Sequence, residues 1–276
     1  MKKDPILKEN VLLQDSGVFQ PWIKAGFRIG DKGTHTSRTI MLKELVLLFE
    51  DQEQGAPREA YVSAIVDHNC LGKQTVSTRK LTCQRLSELY GLDPSIPLFR
   101  VMRQLWQFDE NGRPLLALLT ALARDPLLRV TTSPVLQMKT GEELVRQKMA
   151  QILIEGLEDR LNDNILDKVV RNTSSSWTQS GHLKGRVRKI RQKVTPTPIV
   201  TAYALVLGYV LGARGNGLFN TLWAKVLDTP QEELVSLATD AKRLGFLDLS
   251  QAGGVVEVSF TRLFTEDERH LIHGTD

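Results

Sequence analysis

From Ile199 to Ala213 the chain runs through fifteen strongly apolar residues without a charge, entered by the uncharged and proline-broken TPTP of 195–198. Spanning a bilayer as a helix takes about 20 such residues. The stretch is therefore expected as a buried core helix, and no membrane partner is expected. A chain of 276 residues has room for about two domains, each large enough to bury its own core. With 41% hydrophobic, 25% charged and 6% aromatic residues, it excludes disordered, collagen-like and disulfide-scaffold classes.

The elements after that helix narrow the fold further. A glycine-rich turn, GARGNG, leads into a second helix carrying Leu218, Phe219, Leu222, Trp223 and Val226. TPQE then offers Thr229 as a cap, Pro230 at the first helical position and Glu232 as the capping-box acid. The third helix turns Leu234, Leu237, Ala238, Ala241 and Leu244 inward and stops at Gly245. FLDLSQAGGVVEVSF reads as two short strands around a glycine turn, with Val256, Val258 and Phe260 alternating against Val255, Glu257 and Ser259. Three helices followed by a β-hairpin is winged-helix order. The outward face of the third helix, however, carries Glu232, Glu233 and Asp240 against Lys242 and Arg243, whereas a groove-reading helix is more basic.

The N-terminal half is also helical in pattern. Residues 1–36, with Gly17, Gly26, Gly30 and Gly33, read as an extended or irregular arm. Ser37 is expected to cap a helix through about Glu50, and Pro57 to open one that runs to about Cys70 and stops at Gly72. Ser77 is expected to cap Thr78 to Tyr90, with Leu81, Leu86, Leu89 and Tyr90 inward and Gly91 as the stop. Further helices are expected over 95–108, 114–124 and 142–170. The fold class is thus mainly α: a multi-helical domain over 37–140 with a helix-turn-helix-like pair at 57–90, a connecting helix and basic segment over 141–195, and a winged-helix-like domain with a short β-hairpin over 196–276. The helix-turn-helix-like pair would show Lys73, Arg79, Lys80 and Arg85 outward, a second candidate DNA surface. A plain pair of amphipathic helices has the same pattern.

Charge is distributed unevenly. From Lys168 to Lys193 there are eight basic residues and no Asp or Glu, leaving 28 basic against 32 acidic residues elsewhere. The densest part, GHLKGRVRKIRQK, puts Lys184, Arg186, Arg188, Lys189, Arg191 and Lys193 on a glycine-containing segment, with Trp177 and His182 as nearby planar groups. Such a run is the electrostatic footprint of phosphate binding, and six phosphate contacts would give log K a slope of about −5 against log salt. Double-stranded DNA is the expected partner, and reversing Arg186, Arg188 and Arg191 to Glu should abolish binding. A solvated basic loop, or one paired with the acidic helix before it, is the plainer reading.

No catalytic motif is recognisable. Gly26, Gly30 and Gly33 lack the Gly-Lys-Ser/Thr ending of a phosphate loop, GARGNG follows a helix rather than a strand, and neither GxSxG nor HExxH occurs. Asp159, Asp163 and Asp167 stack on one helix face but read as a solvated acidic face, and His270 and His273 as tail residues. His68 and Cys70 have no third partner. Cys70 and Cys83 suggest a reducing compartment without a zinc site, and MKKDPILKEN has no apolar leader core. A cytoplasmic, non-enzymatic protein without cofactor or metal is expected.

NCLGKQTVSTRKLTCQRLSEL in the N-terminal half, and SSSWTQSGHLKGRVRKIR, PTPIVTAYALVLGYVLGARG and DLSQAGGVVEVSF in the C-terminal half, resemble stretches of the helical BrxA-type proteins of the BREX (bacteriophage exclusion) phage-defence systems. The resemblance implies a cytoplasmic, mostly helical DNA-binding accessory protein serving a multi-protein defence complex that contains a methyltransferase. It carries over no active-site residue. Two other roles fit the residues: an adaptor whose winged helix docks partner proteins, and a winged-helix transcriptional regulator.

Overall fold

In the computed structural model, which describes residues 21–30, 32–156, 162–253 and 255–273, the chain is mainly helical with two small antiparallel sheets. In chain order the helices are α1 (Pro21–Ala25), α2 (Leu42–Asp51), α3 (Arg58–Val66), α4 (Val76–Tyr90), α5 (Pro97–Trp106), α6 (Arg113–Arg124), α7 (Pro126–Val130), α8 (Thr132–Leu136), α9 (Arg146–Gly156) and α10 (Asp163–Gln179). Strands β1 (Leu183–Lys184) and β2 (Ile190–Arg191) follow. The C-terminal part consists of α11 (Pro198–Val210), α12 (Leu222–Lys225), α13 (Gln231–Arg243), the strands β3 (Asp248–Ala252) and β4 (Val255–Ser259), and α14 (Glu266–His273).

The apolar stretch forms α11, and every residue from Ile199 to Val210 is buried. Thr197 caps it by accepting from the Val200 N–H at 3.1 Å. The helix packs on α5 and α6 on one side and on α12 and α13 on the other. Tyr203 reaches across to the Thr120 hydroxyl (2.9 Å) and the Leu98 carbonyl (3.3 Å). One continuous apolar core therefore runs from Ala25 to Ile272. Among the described residues no helix is long and apolar enough to cross a membrane.

Several boundaries differ from the sequence expectation, each for an identifiable reason. Met41, in a left-handed conformation, precedes α2 in place of a Ser37 cap, and the Leu42 N–H is taken by Gln179 Oε1 from α10 at 3.1 Å. Thr75, not Ser77, caps α4 through the Thr78 N–H, and Gly91 at φ +98 ends it as expected. Leu81 lies 37% exposed rather than inward. Helix α3 stops at Val66, four residues before Cys70. The single helix expected over 142–170 is two: Asn162 caps α10 by accepting from Ile165 N–H, and residues 142–144 lie outside α9, with Glu143 bridged to Ile190. Thr229 caps nothing: its hydroxyl donates to the Leu227 carbonyl at 3.0 Å, and Pro230 precedes α13 with no side-chain cap. The expected second C-terminal helix is a 3-10 turn (Gly215–Asn220) plus the single turn α12, although Leu218, Phe219, Leu222, Trp223 and Val226 are all buried as expected. Leu244 is 58% exposed rather than inward. Strands β3 and β4 pair antiparallel around Gly253, with Val258 and Phe260 buried.

The described end of the arm expected as extended or irregular instead contains α1 and a 3-10 turn (Thr34–Thr36), and it is docked on the core. Phe27 is buried edge-to-face against Trp223, at 5.6 Å between ring centroids, and Thr34 and His35 are buried in a 3-10 turn. Residues 1–20 lie outside the described part. The final helix α14 returns to pack on α1.

Among the described residues four arginines are internal: Arg103, Arg124, Arg129 and Arg191. Arg124 donates to the carbonyls of Gly26, Ser87 and Glu88, and Arg129 to those of Leu122, Ala123 and Arg28. Burial pushes both guanidiniums down to about 10, so they stay cationic near neutral pH. They tie helix ends together by satisfying terminal carbonyls.

Candidate nucleic-acid interface

The basic segment is a small hairpin with a fixed root. Leu183 pairs with Arg191 and Lys184 with Ile190. Residues 142–144 line the other edge of β2, where Arg191 N–H donates to the Glu142 carbonyl (2.8 Å) and Leu144 N–H to the Lys189 carbonyl (2.8 Å). Gly185, at φ +112, turns the chain so tightly that a Cβ there would lie 2.0 Å from the Arg188 carbonyl oxygen. No other residue fits that turn without moving the backbone.

Two clamps bind the root to residues 226–228. His182 is fully buried, and its Nε2 lies 2.8 Å from the Val226 carbonyl. A carbonyl only accepts, so Nε2 carries the proton and Nδ1 accepts from the Ser180 hydroxyl at 2.9 Å. Trp177, also fully buried, stands edge-on to the imidazole at 4.9 Å and donates to Thr131 Oγ1. Both planar groups are thus parts of the core and closed to stacking on bases. The second clamp is Arg191, only 3% exposed, which pairs with Asp228 at 2.5 Å and donates to the carbonyls of Val135, His182 and Gln192. Arg191 is therefore removed from the candidate phosphate contacts.

Burial pushes the His182 imidazole down to about 4, from 6.5. A depressed base binds its proton more weakly in the native state than in the unfolded one, so stability falls as pH drops from about 6.5 towards 4. A shift of that size corresponds to about 3 kcal/mol in total. Urea unfolding midpoints are expected to fall between pH 7.5 and 4.5, with a flatter profile in His182→Gln. Equal slopes in the two proteins would refute a buried neutral His182.

Beyond the root the cations reach solvent. Lys184, Arg186 and Lys193 are exposed and make no ion pair among the described residues. Arg188 is exposed but holds Glu143 at 2.6 Å. Lys189 is half-buried and donates to Thr178 Oγ1, and burial lowers its ammonium from the usual lysine range. Val187, between the two tip arginines, is 89% exposed. On α10, Lys168 and Arg171 are exposed, one turn apart.

The second candidate surface is largely consumed internally. Lys73 pairs with Glu44 at 2.9 Å, and Arg85 with Glu88 at 2.7 Å. Arg79 donates to the carbonyls of Val66 and Lys73, closing the turn between α3 and α4. Lys80 alone of the four is exposed, on the wall of a cleft that also holds Arg28 and Arg58. Sequence reasoning passed over those two arginines because no spacing rule links residues 28, 58 and 80.

A hydrogen-bonded chain also went unread in the sequence. Asp125 Oδ2 lies 2.8 Å from His35 Nδ1, and His35 Nε2 lies 2.8 Å from Ser176 Oγ. The order matches a serine hydrolase triad, but all three side chains are buried and Ser176 Oγ already accepts from the Ile40 N–H. No substrate carbonyl reaches that oxygen in this conformation. Asp125 also accepts from the N–H groups of His35 and Leu128, and its carboxyl is held below the ordinary range by His35 and these donors, against the opposing effect of burial. The chain thus fastens the docked arm to α7 and α10. Among the described residues no group of three or more His, Cys, Asp or Glu could hold a metal ion. Asp167 pairs with Arg146, whereas Asp159 lies outside the described residues. Cys70 and Cys83 are free, and burial pushes the Cys70 thiol up to about 11.

A scan of the chain against protein-family models finds no match, and a search of curated proteins finds none either.

Proposed function

We infer that this chain is a non-enzymatic, double-stranded-DNA-binding accessory protein that contacts phosphates through its basic hairpin. The observation that carries the reading is the cluster Lys184, Arg186 and Lys193, exposed and without carboxylate partners among the described residues, on a hairpin whose root is locked into the core. Cations held on a fixed root lose less freedom on meeting a phosphate than the same cations on a loose loop. The arrangement α11, α12, α13, β3, β4 is winged-helix-like, but its third helix is not the reading helix. Arg243 pairs with Asp240, Lys242 donates to the Leu249 carbonyl, and Glu232 and Glu233 remain exposed. An acidic helix repels a phosphate backbone. The biological setting proposed is a cytoplasmic BREX-like phage-defence system with partner proteins, on the BrxA-type stretches quoted above.

The test is binding to a random-sequence duplex across a salt series. Four exposed cations, Lys184, Arg186, Arg188 and Lys193, predict a log–log slope of about −4. No binding at low salt would sink the reading. It would favour a protein-docking adaptor instead, for which the acidic α13 and the exposed Leu244 and Phe108 beside it speak.

A further inference from the structure

A cleft of about 670 Å³ opens between α3 and α4, away from the hairpin's residues. Arg58 comes from the first turn of α3, Lys80 from α4, Arg28 from the docked arm and Arg124 from the end of α6. None of these four cations forms an ion pair among the described residues. Arg28 and Arg124 are held by backbone carbonyls, both sharing that of Glu88, while Arg58 and Lys80 are exposed. The two carboxylates in the wall are already engaged. Glu88 accepts from Arg85, Thr34 and Gln84, and Asp93 from Ser95. Val62, Val66 and Ile96 supply an apolar wall.

We propose that this cleft binds a phosphorylated small molecule of about nucleotide size, with its phosphates at Arg58 and Lys80 and its apolar part against Val62, Val66 and Ile96. The volume lies in the ordinary range for small-ligand sites. Four cations against two carboxylates in one wall leave a positive field that attracts an anion. Two exposed cations lining one cleft suit a diphosphate, with Arg58 able to hold it through two parallel N–H bonds. The site is independent of the hairpin, so neither reading stands or falls with the other.

Anisotropy of a fluorescent ADP analogue, with unlabelled ADP and inorganic pyrophosphate as competitors, tests the proposal on the full chain. Saturable binding displaced by both is expected. The double variant Arg58→Glu/Lys80→Glu should weaken it at least tenfold. Both side chains are exposed and unpaired, so an unchanged melting temperature should show that the fold survives. Arg186→Glu should leave ADP binding unaltered while it weakens DNA binding. Absence of saturable binding up to about 1 mM, the weak end of small-ligand affinity, overturns the proposal. So does equal affinity in the double variant. Displacement of the analogue by duplex DNA, together with loss of DNA binding in Arg58→Glu/Lys80→Glu, would assign the phosphates to nucleic acid and also overturn it.

Discussion

Arg191→Ala is expected to lower the unfolding free energy by about 3–5 kcal/mol, while Arg186→Ala leaves it within about 0.5 kcal/mol. The two residues belong to one basic run and are chemically identical, so the contrast isolates environment. Arg186 projects into solvent. Arg191 is buried, pairs with Asp228 at 2.5 Å and donates to the Val135 carbonyl at 3.0 Å. Truncating it strands Asp228, whose Oδ2 is buried without a hydrogen-bond partner even in the intact protein. A buried charge without its partner costs far more than the pair contributes. Urea unfolding with an unchanged m-value would report the loss as stability alone. Arg191→Met combined with Asp228→Asn should recover part of it, because no unpaired charge is then left inside. Equal midpoints for Arg191→Ala and Arg186→Ala would show that the clamp does not hold the hairpin root.

The expected loss also explains what was legible in the sequence and what was not. The existence of elements follows from local signals: the apolar run of α11, Gly91 after α4, and the alternation of Val256 and Val258 in β4, continued by Phe260 just after it. Periodicity and stop residues act within a few positions, so they survive in any tertiary setting. Helix starts are harder to place. At α4 two neighbouring hydroxyl residues compete, and Thr75 rather than Ser77 takes the cap. At α2 the Leu42 N–H is satisfied by Gln179, and no local rule anticipates a partner from α10. Residues 142–144 carry no strand pattern of their own and pair because β2 offers them an edge.

The same division applies to the candidate interface. The excess of cations between Lys168 and Lys193 is visible as composition, but composition is blind to burial. Arg191 turned inward because residues 226–228, far along the chain, supply both an acid and a carbonyl to the hairpin root. His182 is held by the same segment, through the Val226 carbonyl, and Trp177 by Thr131, 46 residues before it. The Asp125, His35 and Ser176 chain has sequence separations of 90 and 141 residues, which no motif spans. In the second surface, Lys73 and Arg85 met carboxylates that pattern reading had not paired with them. Lys80 was left free, and the cleft it borders joins residues that only the fold brings together.

Charge reversal at the hairpin must accordingly avoid its root. Reversing Arg186, Arg188 and Arg191 together would place a buried glutamate opposite the half-buried Asp228, and an absence of DNA binding could then reflect unfolding. Lys184→Glu, Arg186→Glu and Arg188→Glu keep to exposed positions. Removing one phosphate-binding cation takes about 0.9 off the salt slope, or roughly fivefold off the affinity near physiological salt, so removing three weakens binding about a hundredfold before the added repulsion. The triple variant is therefore expected to bind duplex DNA at least a hundredfold more weakly, with its salt slope reduced from about −4 to about −1. Its unfolding midpoint should stay close to that of the parent, since among the described residues the only ion pair broken is the exposed one between Arg188 and Glu143. Glu143→Gln provides the opposite arm. It frees Arg188 without touching the root and should tighten DNA binding several-fold at low salt. A triple variant that keeps full affinity would move DNA binding off the hairpin altogether, leaving the exposed Lys168 and Arg171 face of α10 as the surface to reverse next.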